Sequence, residues 1–88
     1  MNTVLVKYFE DFGYGVLEGL FLCEYSELVK LQDRDIYFGG VLGEHSDVVS
    51  SDTYDRCEIV SQSFHLICML QSVFSDNTIS GVNPLEYL

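Results

Sequence analysis

The sequence predicts an α+β domain: a small twisted antiparallel sheet with one short helix and one buried apolar helix packed on a face. Three observations predict it. Two apolar, β-favouring runs at residues 4–9 and 16–23 flank a turn that contains two glycines. Leucines at helical spacing follow in 24–31, and a longer apolar run occupies 62–74. Between the helical segments, Ile36-Tyr37-Phe38 runs directly into Gly39-Gly40, so a pleated segment meets a backbone free to bulge or turn.

Each element has its own warrant. In 4–9, Val4, Val6 and Tyr8 share one face of a strand. The run 16–23 is apolar on both faces apart from Glu18, which predicts a central strand, and the short connection predicts a hairpin. Tyr25, Leu28 and Leu31 recur every three residues, with Glu24 and Glu27 early and Lys30 late, as a helix dipole prefers. Residues 36–42 supply one or two strands with a bulge at the glycines. Residues 47–55 are polar and read as a loop that contains Val48-Val49, followed by a strand over 57–60. Ser61 is a candidate N-cap for the second helix. The ending, with Leu85, Tyr87 and Leu88, is apolar enough to dock on the domain.

The 88 residues make a single domain, 1–88, with no internal repeat. At 48% hydrophobic and 14% aromatic residues, the chain can bury a core and is not disordered by composition. Residues 1–3 carry no basic region ahead of an apolar run, so no signal peptide is expected. No stretch reaches the ~20 apolar residues of a membrane span. Cys23, Cys57 and Cys68 are odd in number and widely spaced, which predicts free thiols and a cytoplasmic protein.

Charge is the strongest global signal: 14 acids stand against 4 bases, a net charge of −10. Four cations cannot displace many counterions, so direct nucleic-acid binding is not expected, and an anionic membrane surface would repel the chain. A basic partner would attract it. The acids are spread along the whole chain. Carboxylates in rows could stand in for duplex phosphates, which run at about one charge per 1.7 Å.

No motif specifies chemistry. The segment Glu44-His45-Ser46-Asp47 brings an imidazole beside carboxylates and a hydroxyl, but neighbours in an extended chain point to opposite sides and build no triad. It reads as a polar turn. His65, between Phe64 and Leu66, reads as a core or interface histidine. Neither Cys-x-x-Cys nor His-x-x-x-His occurs, so no metal and no cofactor are expected. Gly39, Gly40 and Gly43 lack the lysine and the following helix of a phosphate loop.

At Tyr37-Phe38-Gly39-Gly40-Val41-Leu42-Gly43-Glu44-His45-Ser46-Asp47 and at Asn83-Pro84-Leu85-Glu86-Tyr87-Leu88, the chain resembles small uncharacterised bacterial and phage-type proteins. In type it is also similar to phage inhibitors of host defence, the anti-CRISPR and anti-restriction proteins. Neither resemblance brings a functional residue with it.

The expected function is therefore a non-enzymatic acidic binding protein. It would act as an inhibitor that occupies a basic surface of a larger protein, with a nucleic-acid-binding protein as one such partner and nucleic-acid mimicry as one form of the binding. The expected contacts are the carboxylates of exposed turns: Glu10, Asp11, Asp33, Asp35, Asp52 and Asp55. The alternative is a small-ligand or nucleotide-sequestering domain with its site at Tyr37, Gly40, Gly43 and His45. The apolar second helix is also a candidate face for a homodimer.

Overall fold

The computed structural model describes residues 3–45 and 47–88. It is α+β, with six strands and two α-helices among the described residues: β1 (Thr3–Asp11), β2 (Val16–Glu24), α1 (Tyr25–Leu28), β3 (Ile36–Gly39), β4 (Val48–Ser50), β5 (Cys57–Ser61), α2 (Phe64–Val73) and β6 (Thr78–Gly81). Short 3-10 turns at Val29–Leu31, Tyr54–Arg56 and Pro84–Tyr87 complete it.

The main sheet is antiparallel in the order β5-β1-β2-β6, and β3 and β4 form a separate two-stranded ribbon. The first hairpin pairs without interruption from Thr3↔Glu24 to Asp11↔Val16. Its turn closes through Phe12 N–H donating to the Gly15 carbonyl at 2.9 Å. Both hairpin strands are central, which is why both carry apolar residues on two faces. The expected bulge is present: Gly39 has φ 67° and the β3–β4 register slips between Tyr37 and Gly39.

The two faces of the sheet are covered unequally. On the first, Val4, Val6, Tyr8, Leu17, Phe21 and Cys23 pack with Leu28 and Leu31 of the α1 segment and with Ile36, Phe38 and Val48 of the ribbon. The C-terminal turn adds Leu85, and Tyr87 meets the Phe38 ring edge-on at 4.9 Å. Docking of the tail therefore holds for Leu85, whereas Tyr87 touches Phe38 but stays largely exposed, as does Leu88. On the second face only Leu5, Leu22 and Ile67 are buried, with Leu20, Leu66, Leu70 and Ile79 around them.

That inequality corrects the expectation of a buried helix. Ser63, not Ser61, caps α2 by accepting the Leu66 N–H at 3.3 Å. The helix does pack on a face, but Ile67 is its one buried residue. Phe64, Met69 and Val73 remain 72%, 61% and 70% exposed, and His65 is exposed as well, not a core histidine. The reason lies in the sheet: this face gives the helix Leu5, Leu20, Leu22 and Ile79, then Lys7 and Glu18 interrupt the apolar surface, and Phe9 and Val16 toward the hairpin turn stay uncovered.

Local sequence does not predict strand β6, because Thr78–Gly81 carries a single large apolar residue. It exists through its partner. Gly19 and Gly81 let the two backbones close up so that Val82 N–H donates to the Glu18 carbonyl at 2.9 Å. A Cβ on Gly19 would run into the Val82 carbonyl oxygen.

The docking of α2 is directly testable by urea unfolding. Ile67→Ala should cost about 2–4 kcal/mol, as for a buried aliphatic truncation. Met69→Ser should stay within about 0.5 kcal/mol, as for an exposed site. Equal losses would mean that α2 packs by a different face.

Candidate functional site

Alternation along β1 decides the fate of the first expected contact. Val4, Val6, Tyr8 and Glu10 share one face, so Glu10 is carried inward and is only 6% exposed. It is not a turn carboxylate, and this corrects its expected role as a surface contact. Its Oε1 accepts two hydrogen bonds of 2.7 Å, from the Tyr8 hydroxyl and from the Ser50 hydroxyl of β4. Asp52 lies at the edge of the same cluster. The Glu10 side chain beside it, and then the Arg56 guanidinium, hold its carboxyl below the usual range against the cost of desolvation.

The other expected contacts stay on the surface in separate places. Asp11 accepts the Gly13 N–H at 2.8 Å, which stiffens the first hairpin turn. Asp33 takes a left-handed conformation (φ 57°) and serves to turn the chain after the Val29–Leu31 segment. Asp35 and Asp55 are exposed. Asp52 is half-buried and paired with Arg56 at 3.1 Å.

The loop expected as an alternative ligand site holds itself together. Gly43 N–H donates to the Gly40 carbonyl at 3.0 Å, and the Tyr37 hydroxyl donates to Asp47 at 2.9 Å. That bond to Asp47 raises the Tyr37 phenol above its ordinary value. Leu42 packs on the core while Val41 stays exposed. The side chains of His45 and Glu44 are 94% and 90% exposed and 3.7 Å apart. Ser46 lies outside the described residues. The principal surface clefts are lined by other residues, and Tyr37, Gly40, Gly43 and His45 do not meet around any of them.

The structure assembles a different acidic site. Glu24 at the end of β2, Glu27 on α1, Asp76 in the turn before β6 and Glu86 in the C-terminal turn line one cleft of about 340 Å³. Its walls are positioned by a polar relay centred on Thr78. The Thr78 N–H donates to Asp76 at 3.3 Å and the Thr78 hydroxyl donates to Glu86 at 3.5 Å. Buried Asn83 donates to the Thr78 hydroxyl at 3.0 Å and accepts the Leu85 N–H at 3.0 Å. These four acids are up to 62 residues apart in sequence, so nothing in the linear pattern marked them as neighbours. Among the described residues, no group of three or more His, Cys, Asp and Glu has the geometry to hold a metal ion. The cleft can instead accept hydrogen bonds from a cationic side chain.

The balance of counter-charges favours an unneutralised surface. Of the four cations, Lys30 pairs with Glu27 at 3.2 Å and Arg56 with Asp52 at 3.1 Å. Of the 14 carboxylates, Glu10 alone is buried.

Two measurements check this electrostatic description. Glu10→Gln, which keeps an acceptor, should cost about 1–2 kcal/mol in urea unfolding. Glu10→Leu strands two buried hydroxyls and should cost about 2–5 kcal/mol. A neutral Glu10→Leu would contradict the inward carboxylate. The second concerns alkali. Burial pushes the Cys23 thiol up to about 11 and the Cys57 thiol up to about 12, and it raises the Tyr8 phenol too. Below the ordinary thiol value of 9.0, folded and unfolded chains both keep these protons. Above it the unfolded chain releases them first, so stability should fall between pH 9 and about 12, by at most ~1.4 kcal/mol per pH unit for each thiol. Cys57→Ala should flatten that fall, and an unchanged slope would place the thiol in water.

Comparison with known proteins leaves the site to its own geometry: no protein-family profile, no curated protein and no solved structure matches the chain.

Proposed function

We propose that this protein is a non-enzymatic acidic binding protein, an inhibitor type that occupies a basic surface of a larger protein. The observation that carries the reading is the convergence of Glu24, Glu27, Asp76 and Glu86 around one cleft in a chain of net charge −10. A carboxylate cluster at a rim attracts cationic side chains over several ångströms. It accelerates encounter and rejects anions, so nucleic acids and acidic membranes are disfavoured ligands. The main contacts are then the cleft acids with Asp55 on the neighbouring surface. Asp11, Asp33 and Asp35 contribute long-range attraction, Glu10 is committed to buried bonds, and Asp52, like Glu27 of the cleft, already holds one cation in a surface ion pair.

Mimicry of a nucleic acid is the narrower form of this reading. It needs carboxylates in rows at phosphate spacing, whereas a cleft suits individual basic side chains. Exposed Phe64, Met69 and Val73 on the uncharged helix α2 favour a second, compatible property, pairing of two copies through that helix.

Affinity capture tests the main reading. The immobilised protein should retain a basic protein from a bacterial extract at low salt and release it as salt rises. A variant carrying Glu24→Gln, Glu27→Gln, Asp76→Asn and Glu86→Gln, checked for an unchanged circular dichroism spectrum, should lose most of that retention. Undiminished retention by the variant would remove the cleft from the function. Failure of the native protein to retain any basic protein would remove the reading itself.

A further inference from the structure

A second cleft lies on the other side of α1. Its volume is about 350 Å³ and its lining is Tyr25, Leu28, Tyr54, Asp55, Cys57 and Ile59. Tyr25 opens α1 directly after β2, and Tyr54 opens the 3-10 turn before β5. The two phenols line the same cleft, and the Tyr25 hydroxyl beside it, followed by desolvation, raises the Tyr54 phenol above its ordinary value. Leu28 is buried, and Cys57 and Ile59 are half-buried against the core, so the floor is apolar and firm. Asp55 stands at the rim. The neighbouring Arg56 turns to Asp52 at 3.1 Å, and no cation pairs with Asp55 among the described residues.

Two tyrosines over an apolar floor with one unneutralised carboxylate at the edge form a receptor for a flat organic cation. The face of a tyrosine ring attracts a cation, and more strongly once the pair is desolvated. A carboxylate pairs with a guanidinium through two parallel hydrogen bonds, and a guanidinium stacks on an aromatic plane as an ammonium does not. We infer that the Tyr25–Tyr54–Asp55 cleft binds an arginine side chain of a basic partner. This rests on the reading of the protein as an acidic binding module, and it adds the residue type that is recognised. Glu24 and Glu27 line the acidic cleft while Tyr25 and Leu28 line this one, so α1 is the ridge between two adjoining binding surfaces. A basic segment crossing that ridge would place arginine in the tyrosine cleft and a second cation among the four carboxylates.

The test is a nuclear magnetic resonance titration of the full chain with hexa-arginine, and in parallel with hexa-lysine, at about 0.15 M salt, where long-range attraction is screened beyond ~8 Å. With hexa-arginine the largest shifts should fall on Tyr25, Tyr54 and Asp55. Tyr25→Leu and Asp55→Asn should each weaken hexa-arginine about five- to tenfold. Glu44→Gln removes the same charge from the exposed loop and should weaken it by less than about twofold. Tyr54→Phe keeps the ring and should retain the affinity, which separates loss of the receptor from loss of the fold. Hexa-lysine should bind more weakly and respond little to Tyr25→Leu. If hexa-arginine binds but Tyr25→Leu is without effect, or the shifts centre on Glu24, Glu27, Asp76 and Glu86, the arginine cleft is overturned and the acidic-surface reading stands. If hexa-arginine does not bind the native protein, both fall.

Discussion

Glu10 brings a carboxylate into the layer where the four-stranded sheet meets the β3–β4 ribbon, and the rest of the first core is arranged around satisfying it. A buried carboxylate without partners would cost several kcal/mol. Here Tyr8 and Ser50, themselves almost completely buried, donate to it from the same strand and from the ribbon. The bond to Ser50 joins residues 40 apart and sets where the ribbon sits on the sheet. The position of the ribbon then determines where Phe38 lies, and Phe38 is the surface on which Tyr87 docks. Through that chain of contacts one inward carboxylate fixes the C-terminal turn, and with it Glu86 of the acidic cleft.

The remaining charge acts against compactness. Thirteen carboxylates outside the core repel one another, and a net charge this far from zero favours expansion. The two ion pairs on the surface, Lys30–Glu27 and Arg56–Asp52, contribute only about 0.3–0.5 kcal/mol each. Each fully buried aliphatic or aromatic side chain contributes about 1.5–3 kcal/mol. Apolar burial on the first face therefore holds the fold against its own charge. An acidic surface of this kind is stabilised in turn by any cation that binds it, which couples partner binding to the stability of the domain.

The second face is the less stable half. Three buried residues anchor α2, against eleven in the first cluster, so the helix opens at lower free energy than the hairpin beneath it. Its uncharged, exposed side also makes it the face on which two copies of a strongly acidic chain can approach with least repulsion.

Much of this molecule was determined by local sequence. The hairpin, its central position, the short α1 segment, the bulge at Gly39 and the α+β class follow from side-chain periodicity and glycine placement, which act within a few residues. The net acidity follows from composition. Three features required the tertiary structure. Glu10 reads as the start of a turn because Asp11 follows it, yet the strand runs through both, and alternation turns Glu10 inward. The run 62–74 reads as buried because it is apolar, but burial depends on how much of the opposing sheet the helix covers, and there Lys7 and Glu18 interrupt the apolar positions while Phe9 and Val16 stay uncovered. The two clefts draw on residues 24, 27, 76 and 86, and on 25, 54 and 55, and only strand pairing brings these together. Periodicity sets which way a side chain points along its own element, whereas a site depends on which other elements lie opposite, and that is decided by long-range pairing and packing.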